Sequence, residues 1–128
     1  MDTAQQPESD FVAVLVTVPS EEVAATLANL LVGERLVACV SILPGVRSIY
    51  AWQGKICDER ELVCLLKTRR ALFPALCQRV LALHPYQVPE VVALPIVEGN
   101  ARYLEWLDNE TSPSSPDHPE VSDQDLRR

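Results

Sequence analysis

The alternation of apolar and polar positions along the chain predicts a series of strands and helices. Residues 11–18 read FVAVLVTV, a run rich in β-branched side chains that is typical of a strand and ends before Pro19. Ser20 is suited to cap the start of a helix, because its hydroxyl accepts from a free backbone N–H, and Gly33 ends that helix. The apolar stripe of this helix is formed by Val23, Leu27, Leu30 and Leu31.

The middle of the chain predicts two further strands that form a hairpin. Residues 36–43 are largely apolar and are followed by the turn signal Pro44-Gly45. Residues 46–52 continue in extended form, and Gln53-Gly54 predicts the tip of the hairpin. Residues 61–67 then predict the returning strand.

The last third of the folded part predicts a helix, an edge strand and a short final helix. Residues 70–83 have apolar positions at helical spacing, with Pro74 in the first turn, where a proline is tolerated. Residues 91–97 predict a fourth strand, which Pro95 assigns to a sheet edge or a bulge. Asn100 is the predicted N-cap of the final helix. The apolar positions of that helix are Tyr103, Leu104, Trp106 and Leu107.

The resulting order, β-α-β-β-α-β plus a C-terminal helix, predicts an α+β, ferredoxin-like split βαβ fold. Right-handed crossovers place both main helices on the same face of the sheet. A sheet with one wet face alternates apolar and polar residues, whereas these strands are apolar on both faces. Because no further part of the chain is left to cover the second face, we expect another copy to cover it in an obligate homo-oligomer.

Composition and charge restrict the classes of partner. The 128 residues are 48% hydrophobic and 23% charged, which is typical of one soluble domain. We expect that domain to span residues 11–110, between disordered tails at residues 1–10 and 111–128, the second of which is rich in proline and serine. The net charge of −7 comes mostly from the tails. A nearly balanced core lacks the basic surface that nucleic acids require, and no apolar run is long enough to predict a membrane span.

Cysteine usage predicts a reducing compartment, and the absence of catalytic motifs predicts a protein that is not an enzyme. The first ten residues are acidic and lack the apolar run of a secretory signal. The four cysteines form no C-x-x-C pair, which favours free thiols in a reducing compartment. The sequence has no G-x-S-x-G, H-E-x-x-H, G-x-G-x-x-G or P-loop motif. An enzyme of unknown class, with a Cys39–His84 nucleophile pair, is the least favoured interpretation.

Four blocks of sequence together resemble the CutA divalent-cation tolerance family. Residues 36–56 read LVACVSILPGVRSIYAWQGKI, residues 61–68 read ELVCLLKT, residues 84–96 read HPYQVPEVVALPI, and residues 103–107 read YLEWL. The motifs AC-x-x-x-LPG, W-x-GK and HPY-x-x-PE are highly specific in combination, and the resemblance covers nearly all of residues 11–110. It implies a ferredoxin-like subunit, a tight trimer packed sheet to sheet, and a cytoplasmic role linked to copper and other divalent cations.

The resemblance also implies a cation site built from sulfur and imidazole groups. Cys39 lies in the AC-x-x-x-LPG motif and His84 opens the HPY-x-x-PE motif, and both types of ligand suit copper. Val16 and Leu83 stand where some members have a further cysteine and histidine, so acids, water or a neighbouring subunit would complete the ligand set. Without a metal, Cys39 is a small buried hydrophobe and His84 caps helix carbonyls. We expect no obligatory cofactor, and copper or another divalent cation as the bound metal.

The family resembles the PII signalling proteins in fold and assembly, which implies an alternative function as a small-molecule sensor or protein scaffold. In the family, equivalents of several residues line a cleft between subunits. The corresponding candidates are Lys67, Glu61, Glu90, Tyr50, Trp52 and Tyr86. In this alternative, Lys67 anchors a small anion, or an unidentified protein partner binds in the cleft. The plainer interpretation is an interface salt bridge between Lys67 and a carboxylate, with aromatic packing around it.

Overall fold

A computed structural model describes residues 9–113 of the chain. This part contains four strands, three α-helices and one 3₁₀ turn, in the predicted order. The elements are β1 (Phe11–Val18), α1 (Glu21–Gly33), β2 (Cys39–Trp52), β3 (Lys55–Arg69), the 3₁₀ turn Arg70–Leu72, α2 (Phe73–Leu83), β4 (Val91–Pro95) and α3 (Ala101–Glu110). None of the helices within residues 9–113 is long and apolar enough to cross a membrane.

The strands form one sheet in the order β2-β3-β1-β4, and every neighbouring pair is antiparallel. This order is the one that the β-α-β-β-α-β sequence produces when both crossovers are right-handed. It confirms the predicted ferredoxin-like fold. The edge position of β4 accommodates Pro95, as predicted, because a proline has no N–H to donate to a further strand.

One face of the sheet packs against α1 and α2 and forms the core. Four alternate residues of β1 on this face are each at most 5% exposed: Val12, Val14, Val16 and Val18. They pack with buried residues of the two helices, Leu27, Leu31, Leu76 and Val80. The hydroxyl of Ser20 accepts from the Val23 N–H at 3.2 Å, which confirms the predicted cap of α1.

The hairpin is longer than predicted, because β3 begins at Lys55 and not at residue 61. Its last six pairs, from Arg47 opposite Arg60 to Trp52 opposite Lys55, extend past the part of β3 that pairs with β1. The tip is the predicted Gln53-Gly54 turn, whose φ values of 50° and 80° suit a tight two-residue connection.

Three other elements, β2, α2 and β4, have boundaries that differ from the prediction. Strand β2 starts at Cys39, and Pro44-Gly45 is a bulge inside it with a register shift, so the strand continues through the expected turn. Residues 70–72 form a 3₁₀ turn, and α2 begins only at Phe73, with Pro74 in its first turn. Strand β4 ends at Pro95, two residues earlier than predicted.

The second face of the sheet, called here the open face, carries the odd-numbered residues of β1 and β3 and their cross-strand partners. The expectation that no part of the chain covers it was wrong at one end. Helix α3 packs there, because Leu107 is fully buried and Tyr103 reaches the side chain of Lys67. Elsewhere on the open face, Leu43, Val92 and Leu94 are exposed to solvent within residues 9–113.

The described chain extends slightly past both predicted domain boundaries. Thr111 is 1% exposed, and its backbone carbonyl accepts from Arg69 Nη2 at 2.7 Å. At the other end, Ser9 Oγ donates to the Phe11 carbonyl at 2.8 Å. The predictions for the rest of the two tails concern residues 1–8 and 114–128, which lie outside the described residues.

Candidate functional site

The eight residues that the sequence singles out lie in two groups at opposite ends of the sheet. His84 lies beside five of the six predicted cleft residues, around a cavity near the C-terminal end of β1. Cys39 and Lys67 are direct partners across β2 and β3 near the other end. Lys67 therefore does not belong to the cavity, although it shares a strand and a face with Glu61.

The cavity has a volume of about 560 Å³ and lies between the base of the projecting hairpin and the segment that follows α2. All five of the predicted residues at this end line it: Tyr50, Trp52, Glu61, Tyr86 and Glu90. Strand β2 supplies the first two, β3 supplies Glu61, and the extended chain before β4 supplies the others. The remaining lining residues are Thr17, Ser48, Ile49, Gln87 and Val88.

Glu61 is the buried acid of this cavity. Its side chain begins the part of β3 that enters the sheet, and the residue is only 5% exposed. Tyr86 Oη donates a hydrogen bond of 2.6 Å to Glu61 Oε2. Burial of the phenol, followed by this bond to the carboxylate, raises the pKa of Tyr86, so the hydroxyl remains a donor.

A second tyrosine–carboxylate pair lies on the projecting hairpin. Tyr50 Oη donates to Glu59 Oε1, and this hydrogen bond is the main cause of the raised pKa of Tyr50. Glu59 pairs with Ser48 across the hairpin and lies two residues before Glu61, on the same face of β3. The sequence reasoning missed Glu59 because it placed the start of the returning strand at residue 61. Continuing the pairing from the Gln53-Gly54 turn would have found it.

His84 has both ring nitrogens engaged by the backbone. The Tyr86 N–H donates to Nδ1 at 3.0 Å, so Nε2 is the nitrogen that carries the proton to the Thr17 carbonyl at 2.8 Å. The imidazole is 7% exposed and stacks at a tilt against the Tyr86 ring, with 4.7 Å between centroids. In this arrangement the ring orients the chain that forms one wall of the cavity.

Cys39 belongs to a separate cluster on the open face, together with Lys67 and Tyr103. Cys39 Sγ lies 3.5 Å from Tyr103 Oη, and Lys67 Nζ donates to the same oxygen at 3.4 Å. Burial, followed by the contact with Cys39, raises the pKa of Tyr103, while Lys67 acts in the opposite direction. The sequence assigned Tyr103 only to an apolar helix position, because the packing of α3 on this face is a tertiary contact.

Cys39 and His84 do not fit a shared copper ion within one subunit. Cys39 lies in register with Lys67 and Ala13, whereas His84 contacts Thr17, four residues further along β1. Four residues of strand correspond to about 13 Å. Within residues 9–113, no group of three or more His, Cys, Asp or Glu side chains is placed to hold a metal ion.

A wider groove of about 1140 Å³ lies elsewhere, between the start of β1, the start of α2 and the outer side of α3. It contains none of the eight candidate site residues. Arg69 and Asp108 line it and approach each other to 3.9 Å. The groove carries charge of both signs and offers no evident chemistry.

The fold and the cavity define a ferredoxin-like α+β subunit with an acidic, aromatic-lined cavity and a sheet face that is only partly covered within residues 9–113. A sequence model described as "CutA1 divalent ion tolerance protein" matches residues 12–110. The chain belongs to this family, as the sequence blocks indicated.

Relatives and solved structures support the assignment over the whole domain. The chain is 61% identical over 98 residues to the divalent-cation tolerance protein CutA of Thermus thermophilus, covering 77% of this chain and 95% of the relative. A solved structure from Thermus thermophilus, of a protein named divalent cation tolerance protein, superimposes with a TM-score of 0.78 at 59% identity, covering 80% of this chain and 99% of that one. CutA1 from Oryza sativa superimposes with a TM-score of 0.79 at 47% identity, covering 83% and 97%.

Some relatives are much longer than the shared domain. The chloroplastic CutA 1 protein of Oryza sativa is 48% identical over 103 residues, which is 80% of this chain and 58% of that protein. The chain therefore spans little more than half of this plant relative and nearly all of the bacterial one.

Proposed function

We propose that this chain acts in divalent-cation tolerance as a non-enzymatic homotrimer whose subunits pack sheet to sheet. The observation that carries the proposal is the apolar surface left on the open face. Leu43, Val92 and Leu94 are 45%, 44% and 50% exposed there. Removing apolar surface from water is favourable by about 25 cal/mol per Å², so a neighbouring sheet would gain stability by covering it.

The projecting hairpin supports the same assembly. An isolated two-stranded ribbon is marginally stable in water, yet this one presents Ile49 and Ile56 at 62% and 82% exposure, with Trp52 at 39%. Single exposed apolar residues are ordinary, but several on one ribbon indicate a contact surface. We propose that neighbouring subunits pack against the hairpin.

The assembly is tested by light scattering at micromolar concentration. The expected mass is three times the chain mass of 14.2 kDa. Leu94→Asp, on the open face, should dissociate the trimer. Leu81→Asp makes the same change at a leucine of similar exposure (52%) on α2 and should leave the mass unchanged. A folded wild-type monomer would refute the proposal.

Copper is the cation that we propose, with Cys39 as its first ligand. A thiolate suits Cu(I), and Cys39 is half-buried and free. Because His84 lies at the other end of its own subunit with both ring nitrogens hydrogen-bonded, the further ligands would come from a neighbouring subunit or from water.

The copper proposal is tested by a Cu(I) competition titration under reducing conditions. Cys39→Ser should abolish stoichiometric binding, whereas Cys77→Ser, at another free half-buried cysteine, should not. His84→Ala distinguishes a site that recruits the imidazole across subunits from one that does not. Binding that survives Cys39→Ser would remove Cys39 from the proposal.

The cavity favours a second candidate function, a PII-like sensor or scaffold that binds a small molecule or a protein partner. Its volume of about 560 Å³ lies within the range of small-molecule sites. Lys67 cannot be the charge anchor of that ligand within one subunit, because it lies with Tyr103 in the other cluster. A cytoplasmic location is also proposed, since the four cysteines are free.

A further inference from the structure

Arg35 has a backbone conformation that favours glycine. It follows α1 with a φ of 62°, and its N–H donates to the Val32 carbonyl at 3.0 Å in a helix ending where glycine is usual. Its Nε is buried and has no hydrogen-bond partner among the described residues. Both features are costly, so the arginine side chain must contribute something that a glycine cannot.

The side chain of Arg35 holds the end of α3. Arg35 Nη2 donates to the Asn109 carbonyl at 3.0 Å, although the two residues are 74 positions apart in the sequence. Arg69 Nη2 donates to the Thr111 carbonyl at 2.7 Å. Two guanidinium groups from different elements therefore anchor the C-terminal end of α3, which is the end that carries partial negative charge.

Helix α3 depends on these anchors because few other contacts hold it to the domain. It has ten residues, of which Leu107 is the one that is buried, and an isolated helix of this length is marginally stable in water. Residues 96–100, which join it to β4, have no regular structure. Elements with few buried apolar contacts open at a lower free energy than the core, which makes α3 a candidate to open separately.

Docked α3 determines the surroundings of Cys39. Tyr103 Oη lies 3.5 Å from Cys39 Sγ, and Lys67 Nζ donates to the same oxygen at 3.4 Å. Tyr103 therefore holds an ammonium group near the sulfur, and a positive charge there opposes the binding of a metal cation. These contacts lie between α3 and the strands of its own subunit, so they do not depend on what covers the rest of the open face.

We propose that α3 is a movable cover over Cys39 and that Arg35 is the positioning residue that keeps it docked. Release of α3 removes Tyr103 from the sulfur and frees Lys67 to move away, so the released form binds a cation at Cys39 more tightly than the docked form. By linkage, a cation at Cys39 shifts α3 toward the released form. This consequence rests on the proposed copper ligand, whereas the movement itself requires no metal.

The movement is tested by amide hydrogen exchange of the full chain without metal. Arg35→Met should speed the exchange of the α3 amides by about fivefold, the factor for one hydrogen bond of ordinary net strength. Arg79→Met is the matched control, because it removes a guanidinium whose bonds go to Glu34, and it should leave α3 unchanged. Exchange of the α3 amides at the rate of the core amides in both the wild type and Arg35→Met would overturn the proposal.

Arg35→Gly separates the side chain from the backbone. It removes the same anchor, so α3 exchange should rise as in Arg35→Met, but the urea midpoint should be higher than in Arg35→Met because glycine accepts a φ of 62° without strain. Wild-type exchange of α3 in Arg35→Gly would show that the side chain is not the anchor.

A Cu(I) competition titration under reducing conditions tests the consequence for Cys39. Arg35→Met should bind Cu(I) about fivefold more tightly than the wild type, because the apparent affinity rises with the populated fraction of the binding form. A merely structural role of Arg35 would weaken binding or leave it unchanged, and either result would overturn the coupling. Absence of Cu(I) binding in the wild type would refute the copper proposal, while hydrogen exchange would still decide whether α3 moves.

Discussion

Replacing Tyr86 by phenylalanine tests how strongly the cavity wall depends on its hydrogen bond to Glu61. The change removes one hydroxyl and leaves the ring in place. The lost bond is 2.6 Å long and ends on a carboxylate that is 5% exposed. Hydrogen bonds to charged groups contribute roughly 1.5–3 kcal/mol to stability. The phenylalanine variant loses this contribution, because the buried carboxylate of Glu61 is left without its donor. We therefore expect the free energy of unfolding to fall by about 2 kcal/mol.

The matched control is Tyr50→Phe. It removes a hydroxyl that also donates to a glutamate, but Tyr50 is 38% exposed and Glu59 is exposed as well. Water replaces the lost donor there, so the expected cost is less than about 0.5 kcal/mol.

The assay for both variants is equilibrium unfolding in urea, at a fixed protein concentration because assembly contributes to the apparent stability. Equal losses in the two variants would refute the reasoning, since it attributes the difference to burial of the acceptor. A loss of less than about 0.5 kcal/mol in Tyr86→Phe would show that the Glu61 carboxylate is solvated after all.

Three further predictions concern backbone, thiol and charge. Gly33→Ala should stabilise the fold by about 0.5 kcal/mol, since Gly33 is helical and the added Cβ meets nothing within 4 Å. Gly54→Ala should cost about 1 kcal/mol, because Gly54 has a φ of +80°. Urea unfolding of both variants checks that the first change stabilises and the second destabilises. Burial raises the pKa of the Cys64 thiol, so iodoacetamide at pH 8 should label it more slowly than Cys57, as followed by peptide mass spectrometry. Hydrogen bonds from Arg47 lower the pKa of Asp58. The stabilisation of the folded state by this ion pair is therefore complete above the ordinary carboxyl pKa of about 4 and is lost as the pH falls through the lowered pKa of Asp58. Carbon NMR should show this pKa rising in Arg47→Met, and an unchanged pKa would mean that the pair does not form in solution.

The sequence predicted the order of elements because that order depends on local signals. The Ser20 cap and the Gln53-Gly54 turn are decided within a few residues, and Pro95 restricts β4 to an edge. The start of β3 was missed because residues 55–60 are mostly polar and exposed. They are extended only because they pair with the opposite arm of the hairpin.

The residues predicted for a cleft between subunits lie in two places within one subunit, and the separation of Lys67 from the other five has a simple geometric cause. Glu61 and Lys67 lie on one face of one strand, but six residues of strand separate them by about 20 Å. Strand spacing alone could have separated them. The Cys39–Tyr103 contact was different, because it depends on where α3 packs, and a helical apolar pattern does not specify which face of a sheet the helix will meet.

The position of β4 at the sheet edge has a consequence for the route of folding. The β2–β3 hairpin joins residues that are close in sequence, whereas β4 must pair with β1 across most of the domain. Local pairings form early and distant ones late, so β1 should spend part of folding with an unpaired edge. At high concentration, β4 of a second chain can take that place and produce an exchanged dimer. Refolding by dilution should therefore give a yield that falls as the chain concentration rises.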